Sequence, residues 1–302
     1  NKVAHGKTPK LISSMIYRHV KIPIRTFEEN SIVHTFSSPS IKTLHKVKRV
    51  FEPISIKKYI APHLFKSTEK FFSSIKDISR CNAVIAHNEY MAEQISSKLF
   101  IDNELIRIIP RAVDVKIDNG YIPSIKLPEK YILFSGRIER YKNLERLINA
   151  FTKTGPKDLS IVFTGDSQDK SYFIKLKKFG EQLLGERITF TGYVDKKDLW
   201  YIMKNATLFC EPSYVNDFPE SIIEAQALGT PVIASNIEPH KETCKETVLY
   251  FNPSCDDSIQ EMLSIVDDKK TMESLSKKGK SDSNLFKWDQ IAPLYRDLYM
   301  SL

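Results

Sequence analysis

The sequence predicts an α/β fold of two domains, each a parallel sheet with helices on both faces. Short apolar runs alternate with amphipathic segments through most of the chain, and 302 residues leave room for two domains of ordinary size. Strands that alternate with helices over short connections are typical of parallel sheets. Because ligands of such sheets bind at the carboxyl ends of the strands, functional residues are expected directly after the apolar runs.

The second half of the chain shows this alternation most clearly. Residues 131–136 (YILFSG) form a short apolar run that ends in glycine, as buried parallel strands often do. Apolar positions then recur at helical spacing through residues 144–151. The same patterns predict strands at 159–165, 187–194, 207–212 and 231–235, and helices at 172–184, from 195 onward and at 221–228.

The first half of the chain is less regular. Strands are predicted at 31–35, 47–51, 83–87 and 106–110, with helices at 64–78 and 90–99. These strands are few for a complete doubly wound sheet, so the first domain is expected to lack its first strand. The predicted division is a first domain at 1–115, a linker rich in Pro and Ile at 116–128, a second domain at 129–285 and a terminal helix at 286–302.

Positive charge is concentrated in the first half of the chain. The net charge is +8, and residues 1–126 contain 21 Lys and Arg against 11 Asp and Glu, whereas the remainder contains 24 against 26. A basic half of this kind predicts a polyanionic partner. No nucleic-acid-binding motif accompanies the charge, so an anionic membrane surface is favoured over nucleic acid. A basic face exposed to solvent is the alternative.

The composition indicates a cytoplasmic protein, peripheral at the cytoplasmic face of a membrane. No run of about 18 apolar residues predicts a transmembrane helix, and the sequence does not start with a signal-peptide pattern. Cys81, Cys210, Cys244 and Cys255 form neither a C-x-x-C pair nor a cluster with zinc spacing. They are interpreted as reduced thiols.

The first candidate constellation is Gly136-Arg137 with Lys142, directly after a predicted strand. Two cations five residues apart across a strand-to-helix turn can converge above the edge of the sheet. Arginine binds phosphate in bidentate fashion and lysine acts as a point charge, which suits a diphosphate. The alternative is an ordinary turn with a surface cation.

The second constellation is a polar loop that leads into a short helix carrying Glu220 and Glu224 on one face. A carboxylate at Glu224 can accept two hydrogen bonds from the cis-diol of a ribose. Free backbone amides around Ser221 and Ile222 can bind phosphate. The alternative is a helix face exposed to solvent.

The third constellation, Gly192-Tyr193-Val194, follows a predicted strand, where backbone groups can meet a nucleobase. Taken alone, it is equally an ordinary strand exit. The three constellations gain weight from their order along the chain and from the segments around them.

Those segments are FSGRIERYKNLERLINAF, VFTGD, ITFTGYVDKKDLWYIMKNATLFCEPS, FPESIIEAQALGTPVIASN and FKWDQIAPLY, preceded by CNAVIAHNEYMAEQI and IRIIPRAVD. The series covers about residues 80–302 and resembles the retaining glycosyltransferases of group 1, or family 4, which have the GT-B fold. The resemblance implies two facing Rossmann-like domains, of which the second binds a nucleotide sugar and the first an acceptor. It also implies that the terminal helix packs toward the first domain.

The resemblance implies roles for individual residues. Arg137 and Lys142 would bind the donor diphosphate and stabilise its leaving charge, and Glu224 would hold the ribose. These three are the expected catalytic residues. The expected donor-binding residues are Gly136, Gly165, Gly192, Tyr193, Val194, Asn216, Asp217, Phe218, Pro219, Glu220, Ser221 and Ile222.

The implied reaction transfers a hexose from a UDP- or GDP-sugar to a glycan or lipid-linked acceptor, with retention at the anomeric carbon. Such a reaction belongs to polysaccharide or glycolipid biosynthesis. Preorganised positive charge would stabilise the departing diphosphate. No metal or other cofactor is expected, because the sequence has no convincing D-x-D motif.

The sequence departs from the family pattern in several places. Asn216 stands where the family usually has a glutamate, with Asp217 beside it as a substitute, and Pro219 replaces a common glycine. A histidine that approaches the donor sugar in the family aligns near Phe36, so His34 and Phe36 are candidates for the acceptor or sugar side. The alternative for His34 is a core histidine with its hydrogen bonds satisfied.

These departures leave other functions open. One is a catalytically silent relative that binds a sugar nucleotide or acts as a partner subunit. The presence of Arg137, Lys142 and Glu224 together favours an active transferase. A sugar-nucleotide epimerase on the same architecture is a further alternative, against which the FPESIIEAQALGTPVIAS segment favours the transferase.

Overall fold

A computed structural model gives the fold of the chain. It describes residues 11–13, 32–35, 48–53, 55–56, 78–117, 120–121, 123, 125–154 and 156–302. The chain divides into two compact units, one made of Asn1–Pro110 with Asp289–Leu302 and the other of Arg111–Trp288. The whole segment predicted as a linker, residues 116–128, therefore falls in the second unit, where Ile125 and Leu127 pack against the core.

The first unit contains a five-stranded parallel sheet whose strands lie side by side in chain order. Its elements are β1 (Leu11–Ser13), β2 (Ile32–Thr35), β3 (Lys48–Phe51), β4 (Ala83–Ala86), α1 (Glu89–Leu99) and β5 (Ile106–Ile108). The predicted helix at 64–78 lies outside the described residues apart from Ile78.

Helix α1 shows how the sequence sets local structure in the first unit. The side chain of Asn88 accepts a hydrogen bond from the Met91 amide at 2.8 Å and begins the helix. Phe100 adopts a left-handed conformation (φ 55°) and ends it. Met91 and Ile95 lie one helical turn apart and pack into the core beside β4, whose four residues are all buried.

The second unit contains a six-stranded parallel sheet in the order β11-β10-β9-β6-β7-β8. Its strands are β6 (Tyr131–Ser135), β7 (Ser160–Thr164), β8 (Ile188–Gly192), β9 (Leu208–Glu211), β10 (Val232–Ser235) and β11 (Leu249–Phe251). From β6 the chain builds outward through β7 and β8, and then returns to add β9, β10 and β11 on the other side. The direction reverses between β6 and β9, which makes their carboxyl ends a topological switch point.

Helices connect these strands and cover the sheet. They are α2 (Leu144–Thr154), α3 (Lys170–Leu184), α4 (Lys196–Asn205), α5 (Glu220–Ala227), α6 (Glu238–Cys244), α7 (Asp256–Leu263) and α8 (Lys269–Asp282). The last helix, α9 (Trp288–Ser301), belongs to the first unit from Asp289 onward. Aspartates begin three of these helices: Asp169 accepts from the Tyr172 amide at 3.2 Å, Asp195 from the Asp198 amide at 2.9 Å and Asp268 from the Thr271 amide at 3.1 Å.

The core of the second unit lies on both faces of the sheet. Along β6, Ile132 and Phe134 face one cluster of buried side chains, while Tyr131 and Leu133 face another. Alternate residues of a strand point to opposite faces, so a strand buried on both sides is apolar throughout. The predicted parallel sheets with helices on both faces are confirmed.

The length and polarity of the helices decide whether one of them could span a membrane. The longest helix in the described part of the chain, α3, has 15 residues. Among the described residues, no helix is both long and apolar enough to cross a membrane.

Candidate active site

The switch point brings two functional loops together. Strands β6 and β9 pair directly, with Ile132 opposite Leu208 and Leu133 opposite Phe209. Because the strands are parallel, the segments that follow them leave the sheet at the same edge. The first carries Arg137 and Lys142, and the second leads to Asn216 and the start of α5.

Three predicted glycines lie at this edge, where β6, β7 and β8 end. The Gly136 amide donates to Thr164 O at 3.0 Å, and the Gly165 amide donates to Gly192 O at 2.8 Å. Gly165 has a φ of +128°, and a Cβ there would lie 1.9 Å from Gly136 O. Only glycine permits this approach of two backbones, so the three strand exits stay close together.

Arg137 and Lys142 differ sharply in their surroundings. Arg137 is exposed, and it forms no hydrogen bond or ion pair with the part of the chain that the structure describes. Lys142 ends a 3₁₀ turn (Arg140–Lys142) and is only 7% exposed. The two predicted phosphate-binding cations therefore share one loop, but only the guanidinium is uncompensated.

Glu211, the last residue of β9, is a site residue that the motif analysis missed. Its side chain is fully buried, and Lys142 Nζ lies 3.0 and 3.1 Å from its two carboxylate oxygens. Ser213 Oγ donates to Oε1, and Ser221 Oγ donates to Oε2 at 3.2 Å. The only signal in the sequence was a charged residue that closes an apolar strand (LFCE).

Burial raises the pKa of Glu211, but the charge of Lys142 and the hydrogen bonds from Ser213 and Lys142 outweigh burial. The pKa of this carboxyl consequently lies below its ordinary value, and Glu211 is ionised at neutral pH. The pair carries no net charge.

Asn143 is a second missed residue, and it fastens the loop after β6. It adopts a left-handed conformation (φ 58°), which asparagine tolerates better than most residues. Its side-chain amide donates to Pro212 O at 3.2 Å and to Pro253 O at 2.8 Å. One buried side chain thus joins the exits of β6, β9 and β11, next to Lys142.

Asn216 and Asp217 are buried at the base of the loop before α5. The Asn216 side-chain nitrogen lies 3.1 Å from His240 Nε2, and its Oδ1 accepts from the Asp217 amide at 3.0 Å. His240 Nδ1 lies 3.0 Å from Ser235 O, which can only accept, so Nδ1 carries a proton and Nε2 accepts from Asn216. The side-chain amide of Asn216, one of the expected donor-binding residues, bonds His240 and the Asp217 backbone.

The start of α5 differs from its prediction in one respect. Backbone amides of Ser221 and Ile222 were expected to be free for phosphate, but the Ile222 amide donates to Pro219 O at 3.1 Å. The Glu220 amide likewise donates to Phe218 O at 3.0 Å. Among the described residues, the Ser221 amide has no hydrogen-bond acceptor, whereas the Ser221 hydroxyl donates to Glu211.

Several predicted donor-binding residues have buried side chains. Phe218 packs edge-on against Phe286, with ring centroids 6.0 Å apart, in a small cluster with Ile223. Ile222 is fully buried in the core beneath α5, and Pro219 is buried at its start. Any contact these residues make with a ligand would come through the backbone.

Glu224 has a carboxylate that is mostly buried but still reaches solvent. It is 8% exposed, Trp200 Nε1 donates to its Oε1 at 3.5 Å, and Lys196 Nζ lies 3.7 Å away. Burial, and then the neighbouring Glu220, raise the pKa of Glu224 against the opposing charge of Lys196. Glu220 itself lies 3.5 Å from Arg111 and is half-exposed.

The end of β8 offers an exposed aromatic ring. Tyr193 is 82% exposed, and Gly192 has a φ of +71° with open space where a Cβ would stand. Val194 packs partly against the core. Of this predicted group, Tyr193 presents the most exposed side chain, and Val194 is half-buried.

His34 belongs to a buried polar cluster in the first unit. It is 3% exposed, its Nδ1 lies 2.7 Å from Tyr299 Oη, and its Nε2 lies 3.1 Å from Glu52. His87 Nε2 lies 3.7 Å from the other oxygen of Glu52. These contacts favour the core-histidine alternative over a sugar-facing role, and Phe36 lies outside the described residues.

The described part of the chain offers no group of three or more His, Cys, Asp or Glu side chains placed to hold a metal ion. The charged groups at the switch point include Arg137, Lys142, Glu211 and Asp217. The two cations among them suit binding of an anion.

Comparison with known proteins gives this arrangement a context. The family described as "Glycosyl transferases group 1" matches residues 122–282. The match covers more than half of the chain and spans every strand of the second unit's sheet.

Two curated relatives resemble most of the chain. D-inositol 3-phosphate glycosyltransferase of Paenarthrobacter aurescens is 24% identical over 234 residues, which are 72% of this chain and 56% of the relative. O-antigen chain mannosyltransferase B of Escherichia coli is 25% identical over 267 residues, 85% of this chain and 67% of the relative. The chain thus spans about a third to two thirds of the length of the curated relatives it matches.

A solved structure shares the fold. Anabaena HepE, in complex with UDP and glucose, superposes with a TM-score of 0.75 at 18% identity, covering 85% of this chain and 72% of that one. At this identity the likeness bears on the fold alone, and it confirms the α/β class expected from the sequence.

Proposed function

Because the chain belongs to the group 1 family of glycosyl transferases, we propose that it transfers a hexose from a nucleoside diphosphate sugar with retention of anomeric configuration. The observation that carries the proposal is the position of Arg137 and Lys142 on the loop after β6, beside the switch point. Open α/β sheets bind ligands at such points. Guanidinium and ammonium groups there suit a phosphate ligand.

The diphosphate would lie over the end of β6 and the start of α5. Arg137 is exposed and uncompensated, so its guanidinium is available for bidentate contact with phosphate oxygens. Lys142 Nζ has three donor hydrogens, and its two contacts with Glu211 leave one. The Ser221 amide adds a donor at the positive end of α5.

The nucleoside would lie toward α4 and β8. Glu224 Oε1 is near Trp200 and Lys196, and its Oε2 has no hydrogen-bond donor among the described residues. That carboxylate can accept the two hydroxyls of a ribose. The exposed ring of Tyr193 offers a face on which a nucleobase can stack.

In this proposal Arg137 and Lys142 stabilise the charge that grows on the departing diphosphate, and no metal ion takes part. Fixed charge aimed at a developing anion is commonly the largest single catalytic term. Retention follows if the departing diphosphate assists the incoming hydroxyl on the same face of the sugar.

The proposed donor is a UDP- or GDP-sugar and the proposed acceptor is a glycan or a lipid-linked glycan. Support comes from HepE, whose structure holds UDP and glucose, and from the O-antigen chain mannosyltransferase. We assign the pathway class, polysaccharide or glycolipid synthesis, on the same grounds.

We further propose that the basic first half of the chain binds an anionic membrane surface at its cytoplasmic face. The support is the excess of Lys and Arg in residues 1–126. At low salt, we expect the protein to sediment with vesicles of anionic lipid and to stay in solution with vesicles of neutral lipid. Equal recovery with both vesicle types would remove the proposal.

The transfer itself is tested by product analysis. The protein is incubated with UDP-glucose or GDP-mannose and a glycan acceptor, and the new linkage is read by nuclear magnetic resonance. We expect the product to keep the anomeric configuration of the donor. An inverted product would contradict the proposed mechanism, and nucleotide binding without any product would favour a silent relative.

A further inference from the structure

The Lys142–Glu211 pair adds a feature that phosphate binding does not require. Glu211 is fully buried, and Lys142 is almost so. A buried ion pair seldom stabilises a fold more than apolar residues of similar size would, because desolvation of two charges offsets their attraction. The pair therefore calls for a reason beyond stability.

The position of Glu211 indicates that reason. Its carboxylate contacts the loop after β6 through Lys142, the loop after β9 through Ser213 and the start of α5 through Ser221. These are the three segments that border the switch point. One buried side chain thus links the segments that would surround a diphosphate.

We propose that Glu211 is a positioning residue that holds the Lys142 ammonium at the switch point and, as its internal counter-charge, weakens the hold of the site on the nucleoside diphosphate. The inference rests on the proposed donor site. A diphosphate that enters must share Lys142 with a carboxylate already bonded to it. Product affinity is then limited by the protein itself, which favours release after transfer.

The charges decide the direction of the effect. In Glu211→Gln the side chain keeps its size and one acceptor oxygen, so Lys142 keeps a partner, but the negative charge is gone. Removing a like charge a few ångströms from an anion strengthens binding of that anion by about ten-fold or more. A role confined to folding would leave the affinity unchanged, and loss of positioning alone would weaken it.

Calorimetric titration with UDP and GDP tests the inference. We expect Glu211→Gln to bind whichever nucleotide the wild type binds about ten-fold more tightly, and Glu211→Asp to stay near the wild-type affinity because it keeps the charge. Asp158→Asn is the matched control. It removes the carboxylate that pairs with Lys130 at 2.6 Å, just before β6 and so at the opposite edge of the same sheet, and its affinity should equal that of the wild type.

The outcomes separate the inference from the proposed function. A wild type that binds neither nucleotide counts against the donor site and the inference together. A wild type that binds, with Glu211→Gln equal to it or weaker, overturns the counter-charge role alone.

If the Glu211→Gln protein does not fold, a double variant still tests the inference. Lys142→Met/Glu211→Gln removes both charges, so it should fold and bind the nucleotide within about ten-fold of the wild type, because the lost cation and the lost anion offset each other. Complete loss of binding in this folded double variant would show that Lys142 acts as an uncompensated cation, and the inference would fail.

Discussion

At the scale of single residues, the charge state of Glu224 links burial to ligand binding. Burial is the main cause that raises its pKa, and the charge of Glu220 adds to it. In the proposed site, Glu224 must be ionised to accept hydrogen bonds from both hydroxyls of the ribose. Nucleotide affinity should therefore fall as the pH drops through this raised pKa, at a pH higher than for an ordinary glutamate.

The Glu224→Gln variant tests the same dependence of nucleotide affinity on the charge of Glu224, at constant pH. A glutamine keeps an acceptor for Trp200 Nε1 but loses the charge, so nucleotide binding should weaken by about ten-fold, the scale of a hydrogen bond to a charged group. Because the folded protein holds this carboxyl at a raised pKa, its ionised form costs stability above the unfolded pKa. The variant should therefore melt at the same temperature as the wild type or higher.

Calorimetry and a thermal melt check both halves of that prediction. Weaker binding with a lower melting temperature would instead indicate general damage to α5. Unchanged binding would remove Glu224 from the ribose site.

Residue identity alone predicted part of this site. Glycine after a strand and basic residues in the following turn are local signals, and they make Gly136, Arg137, Lys142 and Gly192 candidates; Gly165 was added by the family resemblance. Glu211 was not, because its significance depends on Lys142, 69 residues earlier, and on β6 lying next to β9. Asn216 was found, but its bond to His240 requires the position of α6, which no local pattern encodes.

At the scale of elements, the glycine exits of β6 and β7 depend on each other. A Cβ at position 165 would lie 1.9 Å from Gly136 O, and the backbone there has a φ that other residues rarely adopt. Gly165→Ala should therefore lower the free energy of unfolding by about 3 kcal/mol, the upper range for a strained backbone conformation, and displace the Arg137 loop.

Gly185→Ala is the matched control for this prediction. Gly185 also has a positive φ (+56°), but nothing lies within 4 Å of its Cβ position. Chemical denaturation of both variants should show a clearly larger loss for Gly165→Ala. Equal losses would mean that backbone conformation, and not the approach of the two loops, sets the cost.

Within the first unit, α9 is fastened to the sheet by a buried polar cluster. Tyr295 Oη donates to Glu52 at 3.0 Å, beside His34 and His87. Burial raises the pKa of Glu52, but hydrogen bonds from His34 and Tyr295 and the charges of both histidines hold it below its ordinary value. The stability that this carboxylate contributes is complete above the unfolded pKa, about 4.3, and is lost as the pH falls through the folded pKa.

Glu52→Gln should therefore destabilise the protein by about 1–3 kcal/mol at neutral pH, the cost of leaving buried hydrogen-bonding groups unsatisfied. Its difference from the wild type should shrink below pH 4. Denaturation followed across pH checks this, with hydrogen exchange in α9 as the local readout. A difference that persists unchanged at low pH would mean that packing, and not the charge of Glu52, fastens the helix.

At the scale of the whole molecule, strand order was beyond the reach of the sequence. The alternation of apolar runs predicted parallel sheets, because a strand buried on both faces is apolar throughout, as β6 is. The reversal between β6 and β9 is a property of the assembled sheet. It is this reversal that joins Gly136, Lys142 and Glu211 into one site.

The central claim is that the second unit binds a nucleoside diphosphate through the loop after β6. Arg137→Ala tests it more cleanly than removal of Lys142, because Arg137 is exposed, whereas loss of Lys142 would leave Glu211 buried without its counter-charge. Lys204→Ala, which removes an exposed cation at the far end of α4, is the control.

The measurement is calorimetric titration of the three proteins with UDP, GDP and ADP. We expect one nucleotide to bind the wild type and Lys204→Ala alike, and Arg137→Ala to bind it about ten-fold or more weakly, as for loss of a charge-assisted hydrogen bond. Binding of no nucleotide, or equal binding by Arg137→Ala, would contradict a donor site at the switch point.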